Sequence, residues 1–418
     1  MNKKEVSVLL IGTGGYGKNY ADALLSAAGA AYADIEGRRL PYKVAGAVEI
    51  DPSAADGVKR YGVPVYDSIC EFYKNDGADL AVISTPIHCH CGQIVQCLEH
   101  GSNVLCEKPM CATVEEAEII SQAEKAAGHF VMVGYQLSFS RAILSLKADI
   151  ASGAFGKPIT LKTIVHYPRD ESYYARNNWA GRKRAADGRL ILDSPLHNAV
   201  AHHINNMLFV LGDAPGTAVA PKIIQAELYR GNPDVDNFDT AALSCISDNG
   251  AEILFYTSHS LAKANSFGPI CQFRFENATI VHIDEREHET YYAMLDSGKT
   301  IRYQPSGGGH MQKLWDCIDA AGGGPLPRSG IAAALPEVIC VNGAQLSHPV
   351  ITIPEEFVKR TGDPGKRMTS VDGLEDALLN CFERNRLPSE LEEGLRPPWA
   401  SPGKIVGVQD IKDVGRYI

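Results

Sequence analysis

The chain has 418 residues, of which 45% are hydrophobic and 22% charged, and its formal net charge is −10. This length allows two domains with a large core, and the composition is that of a globular protein. The negative charge argues against a nucleic-acid or anionic-membrane partner. No apolar run reaches the length of a membrane span. We also expect no signal peptide, because the first residues leave no room for its apolar region.

A glycine motif follows the first predicted strand. Val6–Ile11 is an almost continuous apolar run, typical of a strand buried on both faces of a parallel sheet. In the motif G-x-G-x-x-G that follows, Gly12 allows a tight turn, Gly14 lets a pyrophosphate approach the backbone, and Gly17 lets helix and strand pack closely. With a helix predicted over 18–30, whose N terminus would face the phosphates, the motif indicates a dinucleotide site.

Two carboxylates stand at the end of the second predicted strand, Glu49 and Asp51. A carboxylate at this place accepts hydrogen bonds from a ribose diol and repels a 2′-phosphate. We prefer Glu49 because it follows the apolar run directly. Its distance from the glycine motif exceeds the usual spacing of about 20 residues, and the insertion Tyr32–Pro41 accounts for the excess. We therefore expect NAD, while Lys59 and Arg60 keep NADP open.

Short apolar strands and helices then alternate as far as residue 134, which indicates a doubly wound α/β domain. The predicted strands are 43–50, 63–66, 79–84, 103–106 and 130–134, and the predicted helices are 54–61, 68–75, 90–100 and 113–127. Ligands of such domains bind beyond the carboxyl ends of the strands.

Three loops therefore converge on the expected cofactor: the glycine motif, Thr85–His90 and Cys106–Met110. The third loop contains Glu107, Lys108 and Pro109. A lysine beside a glutamate and fixed by a proline, at the carboxyl end of a strand, is a cation held near the nicotinamide.

Three motifs together resemble the glucose–fructose oxidoreductase/inositol dehydrogenase (Gfo/Idh/MocA) family of NAD(P)-dependent oxidoreductases. They are the glycine motif, Thr85-Pro86-x-x-x-His90 and Glu107-Lys108-Pro109, and the similarity extends to about Ser347. The resemblance places Lys108 at the reacting carbon and implies a Lys108–Pro109 bond that is often cis. The residues and the resemblance assign cofactor binding to Gly12, Gly14, Gly15, Tyr16, Gly17, Glu49, Thr85, Pro86, His90, Glu107 and Lys108.

The second half of the chain is rich in strands without intervening helices. The predicted strands are 159–167, 222–229, 240–247, 252–258, 272–275 and 279–283, and helices are predicted over 138–152, 311–321 and 332–346. Such a run implies an open, largely antiparallel sheet. The family has such a sheet, whose open face can serve contact between subunits, so we expect a homo-oligomer.

A second chemical motif, Asp193-Ser-Pro-Leu-His197-Asn198, lies between the first two of these strands. If 192–211 is one helix, Asp193 and His197 are one turn apart on the same face. His197 and Asn198 could then point at a substrate. In the family a D-x-x-x-H pair here supplies a substrate ligand and the acid/base, and the resemblance gives these roles to Asp193 and His197. Pro195 stands where a glycine is common.

A basic loop precedes this motif, with Arg176, Arg182, Lys183 and Arg184 around Trp179. These side chains either bind an anionic or hydroxyl-rich substrate or are simply solvated. The sequence does not separate the two interpretations.

Metal-capable side chains stand in a row at 88–91, His-Cys-His-Cys. Neighbours on a strand alternate faces and cannot close a tetrahedral site by themselves. We therefore expect no zinc and interpret His90 as a loop-packing residue near the nicotinamide. The 11 cysteines lie in apolar runs rather than in a disulfide framework, which predicts buried thiols in a reducing cytoplasm.

The sequence thus predicts a Rossmann domain over 1–135, an α+β substrate domain over 136–350 and an extension over 351–418. The extension has an amphipathic helix near Val371–Asn385 and a Pro-Pro-Trp segment ending at Trp399, and we expect it to dock on the body or on a neighbouring subunit.

The predicted function is hydride transfer between nicotinamide and a hydroxyl-bearing carbon of a small-molecule sugar, polyol or glycoside. Lys108 would stabilise the alkoxide, His197 would exchange the proton, and Asp193 would hold a hydroxyl. Two alternatives remain: an NAD-dependent glycosidase that oxidises its substrate transiently, and a non-catalytic dinucleotide sensor.

Overall fold

The structure is a computed structural model, and it describes residues 4–26, 34–35, 38–285, 288–304 and 309–417. The chain divides into two compact units. The first unit comprises Met1–Cys111, Glu115–Ser140 and Ser306–Ala334, and the second comprises Ala112–Val114, Arg141–Pro305 and Leu335–Ile418.

Strands and helices alternate in the first part of the chain. In order they are β1 (Val6–Ile11), α1 (Gly17–Leu25), β2 (Asp34–Ile35), β3 (Arg38–Arg39), β4 (Tyr42–Val48), α2 (Pro52–Lys59), β5 (Val65–Tyr66), α3 (Ile69–Asn75), β6 (Leu80–Ile83), α4 (Ile87–Glu99), β7 (Asn103–Cys106), α5 (Val114–Ala127) and β8 (Val131–Val133).

The second part is dominated by strands. In order its elements are α6 (Arg141–Ala151), β9 (Pro158–His166), α7 (Glu171–Ala175), a π-helical turn (Pro195–Ala199), α8 (Ala201–Val210), β10 (Pro221–Arg230), β11 (Thr240–Ser247), β12 (Glu252–Ser258), β13 (Phe267–Phe275), β14 (Ala278–Glu285), β15 (His288–Leu295), β16 (Thr300–Tyr303), α9 (Gln312–Ala321), α10 (Ile331–Ser347), β17 (Ile351–Thr352), β18 (Val358–Thr361), β19 (Met368–Val371), α11 (Leu374–Arg384) and β20 (Val406–Gly407).

The sheet of the first unit is parallel, with the strand order β5-β4-β1-β6-β7-β8. This is the order of a doubly wound dinucleotide-binding domain, in which successive strands are added on one side of β1 and then, from β6 onward, on the other side. Strand β1 lies in the middle because its apolar residues are buried on both faces. The predicted Rossmann fold is confirmed, and the loop after β1 stands at the switch point where such domains bind their ligands.

One helix of the first unit comes from much later in the chain. Helix α9 buries Leu314, Trp315 and Ile318 in the same apolar cluster as β1, β4 and α1. Packing on this sheet covers its apolar face, and the segment that carries it belongs to the first unit.

The second unit is built on a long, open sheet with the order β16-β15-β14-β13-β9-β12-β11-β10-β17, and β20 pairs with β10. Most neighbours are antiparallel, whereas β9 with β12 and β10 with β17 are parallel. The predicted open, largely antiparallel sheet is therefore confirmed. Strands β15, β16, β17 and β20 of this sheet were not predicted. Strand β15 begins within the charged stretch at 284–289, which hides its pattern.

The C-terminal extension covers part of one face of this sheet. Leu374 and Leu378 of α11 are fully buried against Tyr256 and Leu254 of β12, and Trp399 packs edge-on against the Tyr229 ring, with 4.7 Å between the ring centroids. The predicted docking of the extension on the body is confirmed. The helix forms where its apolar residues repeat every three to four positions, and it stays folded because the sheet covers that stripe.

Lys162 of β9 secures the end of the same helix. Its ammonium donates hydrogen bonds to the Phe382 carbonyl at 2.7 Å and to the Asn385 side chain at 2.8 Å. Carbonyls in the last turn of a helix lack partners within the helix, and a lysine supplies one here.

Some predicted boundaries are wrong. Helix α4 begins at Ile87 rather than His90, and α6 begins at Arg141 rather than Ser138. The insertion Tyr32–Pro41 lies partly outside the described residues. Within it, β2 and β3 form an antiparallel pair.

Candidate active site

The glycine loop has the geometry that its spacing predicts. Gly12 has φ +80°, and a Cβ added there would lie 2.6 Å from the Ser84 carbonyl oxygen. A Cβ on Gly17 would lie 2.1 Å from the Gly12 oxygen. The backbone of the first unit therefore requires both glycines.

Gly14 is different, because a Cβ added there would contact only the Ala54 side chain, at 3.6 Å. Its protein surroundings would accept alanine, and they leave open space beside the backbone at this position. Helix α1 has no acidic residue in its first turn and no side-chain cap from the described residues. This open backbone beside an uncapped helix N terminus fits the pyrophosphate of a dinucleotide.

Glu49 lies at this loop in the structure. Its Oε2 accepts hydrogen bonds from the backbone N–H groups of Thr13 and Gly14, at 2.6 and 3.2 Å, and from the Thr13 hydroxyl. Asp51, the rejected alternative, caps helix α2 by accepting from the Ala54 N–H. The carboxylate nearer to the glycine loop is thus the one that the sequence favoured.

The loops after β6 and β7 are joined by His90. One ring nitrogen lies 2.8 Å from the Pro109 carbonyl oxygen and the other 2.9 Å from the Thr85 carbonyl oxygen. The side chain is buried, and burial lowers the pKa of His90 below its ordinary value of 6.5. His90 therefore holds the two loops together. Pro86 directly precedes helix α4, and the Thr85 hydroxyl donates a hydrogen bond to the Gln93 side chain.

Positions 88–91 lie in the first turn of α4, not on a strand. The described residues contain no group of three or more His, Cys, Asp or Glu side chains placed to hold a metal ion. All 11 cysteines are thiols, and most of them are buried.

Glu107 has buried partners that sequence reasoning missed. Its carboxylate accepts from the Tyr20 hydroxyl at 2.5 Å, from the Lys313 ammonium, and from the Lys108 backbone N–H at 3.2 Å. Burial raises the pKa of Glu107, but Lys313 and the hydrogen bonds outweigh burial and hold it below its ordinary value.

Lys313 links this carboxylate to the glycine loop. Its side chain is 1% exposed, and its ammonium lies 4.7 Å from the centre of the Tyr16 ring. The sequence did contain a sign of this ion pair: Lys313 lies within the apolar stripe of α9, and a buried lysine needs a charged or hydrogen-bonding partner. The half-buried Lys108 follows in the same loop, and its bond to Pro109 is cis, as the resemblance implied.

The second unit carries the other predicted residues, but not on the predicted helix. Leu192 has φ +50°, Ser194 caps the π-helical turn that follows, and α8 begins only at Ala201. The prediction of one helix over 192–211 is wrong, because Leu192 is left-handed and Ser194 and Pro195 start a separate helical turn after it.

Asp193 is 2% exposed, and each of its carboxylate oxygens accepts a hydrogen bond from the chain around it. Its carboxylate accepts from the Gly181 N–H and from the Asn198 side chain, each at 2.6 Å. The structure therefore joins Asp193 and Asn198, two of the predicted substrate ligands.

His197 has a partner that the sequence analysis did not name. Its Nδ1 lies 3.1 Å from a carboxylate oxygen of Glu337 in α10, and both side chains are fully buried. A carboxylate that accepts from Nδ1 favours the tautomer with its hydrogen on Nδ1. The sequence did mark Glu337 as unusual, because it is the one charged residue in the apolar sequence of α10.

A family comparison gives this geometry a context. Residues 6–135 match the model of GFO_IDH_MocA, described as an oxidoreductase family with an NAD-binding Rossmann fold. The matched range covers the first-unit strands, the glycine loop and the Glu107-Lys108-Pro109 loop.

Curated relatives include an inositol 2-dehydrogenase of Rubrobacter xylanophilus, which is 28% identical over 163 residues, 38% of this chain and 44% of the relative. A 1,5-anhydro-D-fructose reductase of Ensifer adhaerens is 30% identical over 155 residues, 37% of this chain and 44% of the relative. The chain thus spans less than half of the length of these relatives.

Solved structures share the fold over more of the chain. A levoglucosan dehydrogenase in complex with NADH and levoglucosan has a TM-score of 0.66 and 18% identity, and covers 82% of this chain and 97% of its own. The WlbA dehydrogenase of Bordetella pertussis, in complex with NADH and UDP-GlcNAcA, has a TM-score of 0.65 at the same identity and the same coverage. Among the described residues, no helix is long and apolar enough to cross a membrane.

Proposed function

We propose that this chain, whose residues 6–135 belong to the Gfo/Idh/MocA oxidoreductase family, is an NAD-dependent dehydrogenase acting on a hydroxyl-bearing carbon of a sugar or polyol. The observation that carries the proposal is the buried pair of His197 and Glu337. A histidine oriented by a carboxylate is suited to act as an acid/base, and alcohol oxidation needs one. Bound nicotinamide supplies the hydride acceptor.

His197 takes the proton of the substrate hydroxyl at Nε2. Glu337 accepts from Nδ1 and stabilises the imidazolium that results, so it is a positioning residue for the base. On reversal the same proton returns to the alkoxide oxygen.

Lys108 stabilises the negative charge that develops on that oxygen as the proton leaves. Its loop is held by the hydrogen bonds to Glu107 and by His90 on Pro109. Asp193 and Asn198 bind neighbouring hydroxyls of the substrate, since their mutual hydrogen bond orients both polar groups.

Glu49 binds the adenosine ribose and gives the preference for NAD, with NADP as the weaker cofactor. The glycine-loop residues hold the pyrophosphate, and Thr85, Pro86 and His90 border the nicotinamide. The proposed location is the cytoplasm, because its reducing conditions keep cysteines such as those of this chain in the thiol form.

A second copy of the chain is the proposed partner. The extension covers strands β9–β12 of the sheet face, and Ile270 and Met294, on the strands beyond, are 43% and 44% exposed. A homo-oligomer through this uncovered part gives a particle mass above 45.2 kDa in solution. A monomer at all concentrations would refute this assignment.

The test of function is a screen of inositols, aldoses and aryl glycosides with NAD and with NADP, followed at the nicotinamide absorbance and by product analysis. We expect net NADH formation on a sugar or polyol. Release of an aglycone without net NADH would instead support a glycosidase, and no reaction in the presence of bound NAD would support a sensor.

Lys108→Ala and His197→Ala each lower kcat by about 10²–10⁴-fold with NAD affinity kept, and the double variant is little worse than the worse single one. The exposed Lys74 supplies the control variant Lys74→Ala. A Lys108→Ala variant with wild-type kcat would overturn the proposed role.

A further inference from the structure

Two arginines share one tyrosine ring in the second unit. The guanidinium carbon of Arg176 lies 3.6 Å from the centre of the Tyr173 ring, and that of Arg169 lies 4.8 Å from it. Arg169 also lies 4.9 Å from the Tyr167 ring, and Arg176 lies 5.7 Å from that of Trp179. Aromatic faces hold both cations in defined positions.

Neither guanidinium forms an ion pair among the residues that the structure describes. The carboxylates adjacent in sequence are already used: Asp170 accepts from the Tyr173 N–H and the Ser172 hydroxyl, and Glu171 pairs with Arg367. The Nε atom of Arg169 is buried without a hydrogen-bond partner. Two neighbouring cations repel each other, so this arrangement lacks an anion.

A buried histidine points to the same conclusion. His259 is 3% exposed, its Nδ1 lies 2.9 Å from the Tyr174 hydroxyl, and its Nε2 is buried without a partner. Burial, together with Arg169 and Arg176, holds the pKa of His259 well below its ordinary value, so the ring is neutral. With the tyrosine donating to Nδ1, Nε2 carries a hydrogen that needs an acceptor.

The cluster of Arg169, Arg176 and His259 lies within electrostatic reach of Asp193. Burial and then the Asp193 carboxylate raise the pKa of Tyr173, the ring on which both arginines lie. Asp193 also accepts from Gly181, two residues after Trp179. Another basic residue of the loop, Arg184, is engaged elsewhere, because it donates to the Gly415 carbonyl.

The C-terminal extension fixes the segment that carries the arginines. Arg367 pairs with Glu171 at 2.7 Å, the Gly365 N–H donates to the same carboxylate, and Asp170 bridges to Met368. The hairpin β18–β19 therefore holds the segment 169–176 in place. Arginine side chains on a fixed segment are preorganised hydrogen-bond donors, and these bind anions better than mobile ones.

We propose that Arg169, Arg176 and His259 form a subsite for an anionic substituent of the substrate, a carboxylate or a phosphate. The inference rests on the proposed function in one respect, since Asp193 binds hydroxyls of the same molecule. The substrate class is then an acidic sugar derivative: guanidinium groups pair with carboxylate and phosphate oxygens through charge-assisted hydrogen bonds.

The test is a fluorescence titration of the full chain in the presence of NADH, with Trp179 as the reporter. The probes are D-glucuronate and D-galacturonate, D-glucose 6-phosphate, inorganic phosphate, and D-glucose as the neutral reference. We expect at least one anion to bind at least tenfold more tightly than D-glucose. Uronates ahead of the phosphates identify a carboxylate ligand, and the reverse order identifies a phosphate.

Arg176→Gln and Arg169→Gln should each weaken that anion at least tenfold, whereas Arg176→Lys should retain part of the affinity. Arg274→Gln, on an exposed arginine of β13, is the matched control and should change nothing. Because Arg176 is exposed, we expect Arg176→Gln to fold, so the subsite can be tested with this variant even if Arg169→Gln does not fold. The inference is overturned if no anion is preferred to D-glucose, or if Arg176→Gln binds it like the wild type.

This outcome is separable from the proposed function. Turnover of neutral polyols with NADH formation, but no anion binding, would refute the subsite and leave the dehydrogenase. Anion binding that depends on the arginines, without any NAD reduction, would do the opposite.

Discussion

Nδ1 of His197 lies 3.1 Å from the carboxylate of Glu337, and both side chains are fully buried although 140 residues separate them in the chain. A buried charge without a partner is costly, so each group accounts for the burial of the other. The pair orients a histidine in a π-helical turn, as the proposed role of His197 in acid/base chemistry requires.

Glu337→Gln keeps the shape of the side chain but removes the charge that stabilises the imidazolium. We expect kcat to fall by about 10²–10⁴-fold while KM and NAD affinity stay within a few-fold. Glu227→Gln is the control, since it alters another buried carboxylate, one that bonds Ser389. Steady-state kinetics check the prediction, and a change confined to KM would contradict a role in proton transfer.

Lys313→Met leaves Glu107 buried without its ammonium partner. Breaking a buried ion pair in this way costs about 3–5 kcal/mol of unfolding free energy. Lys18→Met removes an exposed pair with Asp22 and should cost less than about 1 kcal/mol. Denaturant unfolding measures both, and Glu107→Gln added to Lys313→Met should recover part of the loss.

The same pair predicts a pH dependence. Lys313 and the hydrogen bonds hold the pKa of Glu107 below its ordinary value of 4.5 despite burial. Their stabilisation is therefore present above pH 4.5 and is lost as the pH falls through the lowered pKa. Lys313→Met should show a smaller loss over this acid range than the wild type, and parallel unfolding curves would contradict the assignment.

Glu49→Ser should weaken NAD about tenfold or more, because two hydrogen bonds to a charged group are lost, and should affect NADP less. Asp51→Asn keeps the cap of α2 and serves as the matched control. Binding titrations of both cofactors decide the matter. A wild type that binds NADP at least as tightly as NAD would refute the role of Glu49.

Leu378→Ala tests the docking of the C-terminal extension. Leu378 is fully buried between α11 and the sheet, so truncation should cost about 2–5 kcal/mol of unfolding free energy. Ile405→Ala, at a position that is 69% exposed in the same extension, should cost little. Equal unfolding midpoints for the two variants would mean that the extension does not pack on the sheet in solution.

His166→Phe addresses an acid-sensitive group in the sheet. His166 is fully buried beside Phe267, and burial lowers its pKa from 6.5 to about 4. As the pH drops, the histidine of the unfolded chain is protonated before the buried histidine of the folded chain. The free energy of unfolding therefore falls between pH 6.5 and pH 4, by up to about 3 kcal/mol. The variant should lose less stability over that range in denaturant melts, and an equal loss would refute the prediction.

Local patterns predicted much of the fold. The apolar run of β1, the glycine spacing and the alternation of strands and helices identified the Rossmann domain, and the apolar stripe of α11 identified a docked helix. Each of these depends on residues within a few positions of one another. The boundaries at Ile87 and Arg141, and the break at Ser194, depend on how the ends of helices are satisfied, which apolar spacing does not encode.

The sequence by itself determined the fold class, the family motifs and the residues that could carry the chemistry, such as Lys108, Asp193 and His197. Only the tertiary structure decided which distant groups meet: Lys313 and Glu107, Glu337 and His197, and Arg169 and Arg176 on the Tyr173 ring. The physical reason is that periodicity and spacing report the local backbone, whereas a buried charge is stabilised by whichever group the fold brings to it across the chain.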